Sequence, residues 1–309
     1  MPLYLSESDV ETLFTPGDAV PLIEECFRRL ASGVVENRPR QRLPHEDGYL
    51  AVMSAVDREL GYAGVKSYVV AAGRATFVVT LFDLATGELA AVIEADALGQ
   101  RRTGGATGVA AKFLARPGAQ SLGVIGCGWQ AEAQVAAIRA AVPTIETVVA
   151  YCRTPESLEA FCGTTGATSA ESSADAAAQD VVVTVTSSPV PVLRGEWLRD
   201  GVAVCAVGAN RPGARELDDV VLERAAFICC DSREQALLES ADLIEPVETG
   251  LLDWGHVHEL QEVVSGGVRG RESDTDVVVF KSNGLAAWDV AIGAAALERA
   301  RELGVGRSF

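Results

Sequence analysis

The spacing of apolar residues along the chain predicts a helical start followed by a β-rich region. Residues 6–33 are predicted to form one or two helices, with Ser8 as the N-cap. Their apolar positions recur at helical spacing: Val20, Ile23, Phe27 and Leu30. From Tyr49 to Ile93 the pattern changes to strands and turns, with a Thr86-Gly87 turn between two β-rich runs. This region is therefore predicted to form a largely antiparallel sheet.

A third pattern, strand alternating with helix, occupies the rest of the chain. A helix is predicted over Asp96–Ala115, and Arg116-Pro117-Gly118 breaks it. Apolar strand candidates then follow, with helices between most of them: Leu122–Ile125, Thr147–Tyr151, Val181–Thr186, Val202–Val207, Phe227–Cys230 and Asp276–Phe280. Residues 167–179 are predicted to be a mobile loop leading into a helix. The alternation predicts a parallel, doubly wound sheet with right-handed crossovers.

The breaker and the last helix define two domains. The helix predicted over Ala286–Leu303 is too rich in alanine and apolar residues to lie on the surface, so we expect it to pack on the first domain. One domain is therefore predicted over residues 1–117 plus 286–309, and an inserted domain over residues 118–285. The fold class is α/β, a Rossmann sheet inserted in an α+β domain.

Composition narrows the classes of protein. The chain has 309 residues, is 48% hydrophobic and carries a formal net charge of −17 without a basic stripe, so nucleic acid is not an expected partner. We expect no membrane segment and a cytoplasmic location. The seven cysteines lack CxxC spacing and are expected to be reduced. His256 and His258 form an HxH pair without a third ligand nearby, so no metal site is predicted, and His45 is expected to be exposed.

A glycine turn lies between the first strand and first helix of the predicted Rossmann domain. Gly126 and Gly128 remove side chains that would keep the backbone from a pyrophosphate, and Ala131 lets the helix pack close to the strand. The helix N-terminus then presents N–H groups to the phosphates. The turn predicts a dinucleotide site that also includes Trp129 and Gln130, although glycines end strands in proteins that bind no cofactor.

The residues after the next strands indicate which dinucleotide binds. The second strand ends at Arg153-Thr154 without a carboxylate, which favours NADP(H) over NAD(H), because arginine attracts a 2′-phosphate. The alternative is an exposed arginine at a strand end. Further candidate contacts follow two later strands of the sheet, where ligands bind in this fold: Thr184, Val185, Thr186, Gly208 and Asn210.

Three basic residues precede the Rossmann domain and are candidates for substrate binding. Lys66 lies in an otherwise apolar strand, Ala63–Val70, and a buried cation needs an anion. Arg102 lies near the start of a glycine-interrupted helix, and Arg40 precedes the β-rich region. A substrate carboxylate would satisfy all three. The alternative is that each pairs with an Asp or Glu of the protein itself.

The chain resembles the ornithine cyclodeaminase and mu-crystallin family. The motifs that carry the resemblance appear in the family's order and spacing: Arg40 ahead of GYLAVM, Lys66 in GVKSY, LFDLATGEL, QRRTGGATGVAAKFLA, GCGWQA, VTVTSS, VGANRPGARELD and FKSNGLAAWD. The resemblance implies a Rossmann domain inserted in a substrate-binding and dimerisation domain, usually in a homodimer. It implies that Arg40, Lys66 and Arg102 bind the substrate carboxylate and serve catalysis, with Asn210 near the reacting carbon.

Departures from the cyclodeaminase pattern favour a reductase. Cyclodeaminases carry aspartate where this chain has Asn210, and an acidic residue where it has Arg153. The segment Ser67–Ala75 is also shorter than theirs. The resemblance therefore implies an NAD(P)H-dependent imine or ketimine reductase, or amino-acid dehydrogenase, acting on a small α-imino or α-amino acid. Two alternatives remain: an ammonia-lyase with bound NAD, and a non-catalytic protein that binds NADPH or a small ligand. Asp289 would hold a water or a basic partner, or be an ordinary carboxylate at a helix N-terminus.

Overall fold

The computed structural model describes residues Met1–Phe309. The first third of the chain contains these elements: β1 (Leu3–Leu5), α1 (Glu7–Leu13), α2 (Pro16–Ala31), β2 (Val35–His45), β3 (Gly48–Asp57), β4 (Tyr62–Ala71), β5 (Arg74–Asp83), β6 (Leu89–Glu94) and α3 (Asp96–Leu114). The remainder contains these: β7 (Ser121–Ile125), α4 (Trp129–Ala141), β8 (Thr147–Tyr151), α5 (Pro155–Thr165), β9 (Thr168–Ser169), α6 (Ser173–Ala177), β10 (Val181–Thr184), β11 (Ala203–Ala206), α7 (Asp219–Arg224), β12 (Ala225–Cys230), α8 (Arg233–Glu239), α9 (Ala241–Glu248), β13 (Val257–Glu259), α10 (Leu260–Val264), β14 (Val277–Lys281), α11 (Ala286–Leu303) and β15 (Arg307–Ser308).

The chain divides into two compact units. The first comprises Met1–Arg102 and Leu285–Phe309, and the second comprises Thr103–Gly284. The division falls within α3, whereas the sequence placed its boundary at the breaker before Gly118. None of the helices combines the length and hydropathy that a bilayer-spanning segment requires.

The first unit is built on a seven-stranded mixed sheet. Its strand order is β15-β1-β6-β5-β4-β3-β2, with a parallel pair between β1 and β6 and antiparallel pairs elsewhere. Helix α11 packs on β3, β4 and β5 and against α2, as predicted. Gly64 makes this close approach possible, because a Cβ there would lie 2.6 Å from Val290 of α11.

The second unit contains an eight-stranded sheet in which every strand pair is parallel. Its order is β13-β12-β14-β11-β10-β7-β8-β9. Counting from β7, the run β9-β8-β7-β10-β11 is the 3-2-1-4-5 order of a doubly wound nucleotide-binding sheet, whose strand order reverses beside the first strand. The apolar residues of this sheet and of helices α6 to α9 form the core of the unit. The predicted α/β class with a parallel sheet is confirmed.

Several predicted boundaries need correction. The N-cap of the first helix is Ser6, not Ser8, and its capping box with Asp9 explains the choice. The strands predicted to end at Thr186 and Val207 end at Thr184 and Ala206. Residues 167–179 contain β9 and α6, and Ser172 caps α6.

Candidate active site

Lys66 lies at the centre of the first unit's sheet, on the face that α11 covers. In the register of β4 it pairs with Met53 of β3 and Val79 of β5. Its side chain is only 3% exposed, and its ammonium group lies 5.2 Å from the ring centroid of Phe77. The strand therefore holds a positive charge in an interior position, where it needs a compensating partner.

Asp289 supplies that partner from the first turn of α11. Its Oδ1 accepts a hydrogen bond from Lys66 Nζ at 2.9 Å and a second from Arg102 Nε at 3.2 Å. The carboxylate is 1% exposed, and its Oδ2 makes no hydrogen bond. Of the interpretations open for Asp289, the structure supports a basic partner. Because two cations share one carboxylate oxygen, the cluster carries excess positive charge.

Arg102 and Arg40 complete a basic cluster around Lys66. Arg102 lies in the second turn of α3, past the helix start where the sequence placed it, and its guanidinium is 5.7 Å from the ring centroid of Trp288. Arg40 lies in β2, where the register with β3 shifts between Arg38 and Gln41. Both arginines are buried. The first unit thus brings together the three basic residues that the sequence singled out.

The cluster shifts the protonation equilibrium of Lys66. Burial lowers its pKa to about 8, and the charges of Arg102 and Arg40 act in the same direction. Asp289 opposes the shift through its charge and its hydrogen bond. The charge of Lys66 also reaches Asp96, whose pKa burial raises. A lysine with a pKa near 8 remains mostly protonated at neutral pH, yet it gives up its proton more readily than an ordinary lysine.

The glycine turn of the second unit meets the steric requirements of a dinucleotide loop. Gly126 has φ +108°, and a Cβ there would lie 2.5 Å from the carbonyl oxygen of Val185. Gly128 is the N-cap of α4, lacks a side-chain cap and faces open space. Trp129 is 49% exposed, and Gln130 has a buried Oε1 without a hydrogen-bond partner. With Ala131 buried beneath it, the start of α4 offers backbone N–H groups and room for a phosphate.

The end of β8 carries the residues predicted to select the nucleotide. Arg153 is exposed and forms no salt bridge. Thr154 is the N-cap of α5, and its side chain makes no capping hydrogen bond. The backbone of this segment adjoins the glycine turn, because Gly126 N donates to Tyr151 O at 2.9 Å.

The carboxyl ends of β10 and β11 are held by a carboxylate that sequence reasoning missed. Glu216 is fully buried and accepts from Thr186 N and Oγ1 at 2.7 and 2.8 Å, and from Gly208 N and Ala209 N at 2.7 and 3.1 Å. The predicted contact Thr186 is therefore engaged with Glu216. Thr184, by contrast, has a buried Oγ1 without a partner.

A second buried carboxylate, that of Asp242, holds the backbone at Glu216. Asp242 accepts hydrogen bonds from the backbone N–H groups of Glu216 and Leu217, and Lys281 Nζ lies 3.0 Å from its Oδ2. Lys281 also donates to Ala209 O at 2.5 Å. These contacts fix the backbone on either side of Gly208, whereas Asn210 beyond it is exposed. In the sequence, Glu216 is one of two acidic residues in Pro212–Asp218, and no periodic pattern marks it.

The histidines belong neither to the basic cluster around Lys66 nor to the contacts around Glu216. His258 stacks on Phe227 with ring centroids 5.0 Å apart, and its Nδ1 lies 3.6 Å from Glu262. His45 is exposed, as predicted. No group of three or more His, Cys, Asp or Glu side chains is arranged to hold a metal ion.

Comparisons with known proteins agree with this architecture. The Delta(1)-pyrroline-2-carboxylate reductase of Bacillus cereus is 36% identical over 324 residues, covering 99% of both chains. The structure of the Thermococcus litoralis enzyme of that name, in complex with NADH and L-proline, superposes with a TM-score of 0.93 at 32% identity and covers 99% of this chain and 100% of its own. An archaeal alanine dehydrogenase, a dimer with bound NAD, gives a TM-score of 0.94 at 34% identity and covers 100% of this chain and 98% of its own.

A family model describes almost the whole chain. Residues 2–304 match the model of the ornithine cyclodeaminase/mu-crystallin family. The match spans the basic cluster of the first unit and the glycine turn of the second. The resemblance inferred from the motifs is confirmed, and the chain belongs to the ornithine cyclodeaminase/mu-crystallin family.

Proposed function

We propose that this protein is a nicotinamide-dependent oxidoreductase that reduces the C=N bond of a small α-imino acid, or oxidises the corresponding α-amino acid. The observation that carries the proposal is the buried cluster of Lys66, Arg102 and Asp289 in a chain that also has a dinucleotide turn. Relatives of the same length include pyrroline-2-carboxylate reductases and an alanine dehydrogenase, enzymes of this class of reaction.

The cofactor would be held by the glycine turn. Gly126, Gly128 and the N-terminus of α4 would bind the pyrophosphate, and Thr184 with Gly208 would lie along the dinucleotide. The bound nicotinamide supplies the hydride that converts the C=N carbon into a C–H carbon. Substrate binding and proton donation would be carried out by side chains of the protein.

The basic cluster would bind and protonate the substrate. Arg40 and Arg102 would hold the carboxylate, since a guanidinium binds a carboxylate through two hydrogen bonds. Lys66 would donate its proton at the imine nitrogen, so that the C=N group gains one hydride and one proton. Asp289 would orient the Lys66 ammonium and keep it protonated until that transfer. Asn210, which does not accept a proton at neutral pH, would contribute a neutral polar contact.

The test is cofactor oxidation with a panel of cyclic imino acids, and of α-keto acids with ammonia or methylamine. We expect net consumption of reduced cofactor by the wild type and a loss of at least ~100-fold in Lys66→Met, the usual range for a removed proton donor. Lys112→Met, on an exposed lysine of α3, is the matched control and should keep wild-type activity. Ammonia release from ornithine with no net change in cofactor would instead support a cyclodeaminase. Cofactor binding with no turnover would support a binding protein.

We also propose that NADP(H) is preferred over NAD(H). Support comes from Arg153, exposed and unpaired at the end of β8, in a segment that has no carboxylate before Glu156. The two solved relatives described above carry NADH or NAD, so the proposed preference rests on this chain's own strand end.

Titration of the protein with NADPH and NADH tests this preference. Arg153→Glu should weaken NADPH binding by roughly 10-fold or more while sparing NADH, because it replaces a charge-assisted contact with repulsion. Arg199→Glu, also exposed in the second unit, is the control and should leave the ratio of the two dissociation constants unchanged. A wild type that binds NADH at least as tightly as NADPH would refute the preference.

A further inference from the structure

Two cysteines flank the region where the dinucleotide would bind. Cys127 lies between the two glycines of the turn, and Cys152 directly follows β8. Both are partly exposed free thiols, unlike Cys26, Cys205, Cys229 and Cys230, which are buried in the two units. Neither cysteine has a part in the proposed chemistry.

The backbone brings these two cysteines together. Strands β7 and β8 are parallel neighbours, with Ile125 opposite Tyr151 in the register, and Gly126 N donates to Tyr151 O. Adjacent strands lie about 4.8 Å apart, within the range of Cα separations that a disulfide spans. Cys152 is the first residue after β8 and Cys127 the second after β7, so both follow directly from this pair.

The two thiols are close enough to affect each other's protonation. Burial is the largest cause that raises the pKa of Cys127, and the neighbouring Cys152 thiol raises it further. Cys152 Sγ also lies 3.3 Å from Thr154 O, to which it donates. Cys162 of α5 is a more distant neighbour, since it contributes only through its charge. Cys152 also affects Cys162 through its charge, but the pairing of β7 with β8 favours Cys127 and Cys152 as the reacting pair.

We propose that Cys127 and Cys152 form an oxidisable dithiol whose disulfide weakens dinucleotide binding. A disulfide would tie the turn that receives the pyrophosphate to the segment that carries Arg153 and Thr154. The spacing between these two segments would then be set by the sulfur bridge rather than by the bound nucleotide. The effect on binding rests on the proposed function, whereas formation of the bridge does not.

The oxidant is a low-molecular-weight disulfide, and the step is thiol–disulfide exchange. One cysteine thiolate attacks a sulfur of the reagent, forms a mixed disulfide and releases one small thiol. The other cysteine thiolate then attacks the protein sulfur of the mixed disulfide and releases the second small thiol. The two protein thiols lose two electrons and two protons, and the reagent disulfide is reduced to two thiols. Because the thiolate is the attacking species and Cys127 holds its proton strongly, the exchange should accelerate as pH rises.

The experiment treats the full-length protein with glutathione disulfide and measures both mass and cofactor affinity. We expect a product lighter by two hydrogen atoms, a Cys127–Cys152 cross-link in the peptide map, and a dissociation constant for NADPH or NADH raised by about 10-fold or more. That factor corresponds to losing roughly one hydrogen bond to a charged group. Dithiothreitol should restore both properties.

Serine variants separate the possible outcomes. Cys152→Ser should form no intramolecular bridge, and its affinity after treatment should equal its affinity before treatment. Cys162→Ser is the matched control and should oxidise as the wild type does. Absence of the cross-link, a bridge to Cys162, or a bridge that leaves affinity unchanged would overturn the inference. Reduced wild type that binds neither dinucleotide would contradict the proposed function, while the mass would still decide whether the dithiol forms.

Discussion

The Lys66 side chain places a charge on a strand face that it shares with Tyr62, Gly64 and Tyr68, and its partners determine its protonation. Burial and Arg102 favour the neutral amine, whereas Asp289 favours the ammonium, and the balance sets the pKa at about 8. Under the proposed chemistry the ammonium is the active form in the reduction. Rates of reduction should therefore be level below pH 8 and fall as pH rises through this value.

Asp289→Asn changes this balance in a predictable direction. Removing the carboxylate removes the charge that raises the pKa of Lys66, so the alkaline limb of the pH–rate profile should move down by roughly 1 to 3 pH units. Asp96→Asn is the control. The Asp96 carboxyl interacts with Lys66 only through charge, so we expect a smaller shift of the alkaline limb. If Asp289→Asn is active and the alkaline limb of its pH–rate profile is unchanged, Asp289 does not raise the pKa of Lys66.

The same substitution has a structural cost that must be measured beside the profile. It leaves two buried cations without their anion, and breaking a buried ion pair costs about 3 to 5 kcal/mol. Thermal unfolding of Asp289→Asn should show a lower midpoint than Asp96→Asn. A destabilised variant that is still folded at the assay temperature keeps the pH test valid.

Under the proposed function, the element that determines cofactor binding is the turn between β7 and α4, and its two glycines have different roles. Gly126 has a positive φ and no room for a Cβ, so it is required by the fold. Gly128 has φ −85° and open space around it, so the protein itself does not require glycine there. The free space at Gly128 is what a ligand would fill.

Gly128→Val should therefore separate folding from binding. We expect a melting temperature close to that of the wild type and a loss of NADPH and NADH binding of at least ~10-fold, because the new side chain occupies the path of the pyrophosphate. Gly163→Val, at an exposed and unobstructed position of α5, should change neither property. If Gly128→Val binds NADPH and NADH as the wild type does, the dinucleotide binds at another site.

Elements with strong local signals could be predicted from the sequence. Strand β8 and helix α11 have the predicted bounds, and the glycine turn lies where its pattern indicated. Strand β2 was not predicted, because it is an edge strand whose residues are largely charged or polar, so no apolar alternation marks it.

The candidate site was only partly predictable for a related reason. Arg40, Lys66 and Arg102 could be singled out because a cation in an apolar setting is unusual. Their convergence, and the choice of Asp289 as partner, depends on contacts between residues up to 223 positions apart, which a local pattern does not encode. Glu216 escaped notice because its role arises only where strand ends meet.

At the scale of the whole molecule, the sheet of the first unit has one face covered by α11 and one face without such cover that carries many apolar side chains. The uncovered face is formed by side chains that alternate with the buried ones. Its apolar residues are Leu50, Val52, Val56, Val65, Val69, Val78 and Phe82, and their cross-strand partners include Ser54, Ser67, Thr76 and Thr80. Val69 and Phe82 are 45% and 39% exposed. A partly exposed sheet face with this many apolar side chains is typical of a protein–protein interface, which favours the homodimer that the family resemblance implies.

Val65→Lys tests the homodimer. A lysine at the centre of this face should convert the dimer to a monomer, halving the mass measured by light scattering, because burying an unpaired charge is unfavourable. Leu238→Lys, 58% exposed on α8, should leave the mass unchanged. If the wild type is monomeric, or if Val65→Lys remains dimeric, this face is not a dimer interface.

The most direct test of the account follows an isotope from cofactor to product. Reduced cofactor carrying deuterium at the transferred C4 position is incubated with the protein and a cyclic α-imino acid that the substrate panel identifies, and the product is analysed by mass spectrometry and NMR. We predict one deuterium at the α-carbon of the amino acid formed, one cofactor oxidised for each product, and neither result in Lys66→Met. Turnover that leaves the α-carbon unlabelled, or product formed without net cofactor oxidation, would contradict the account.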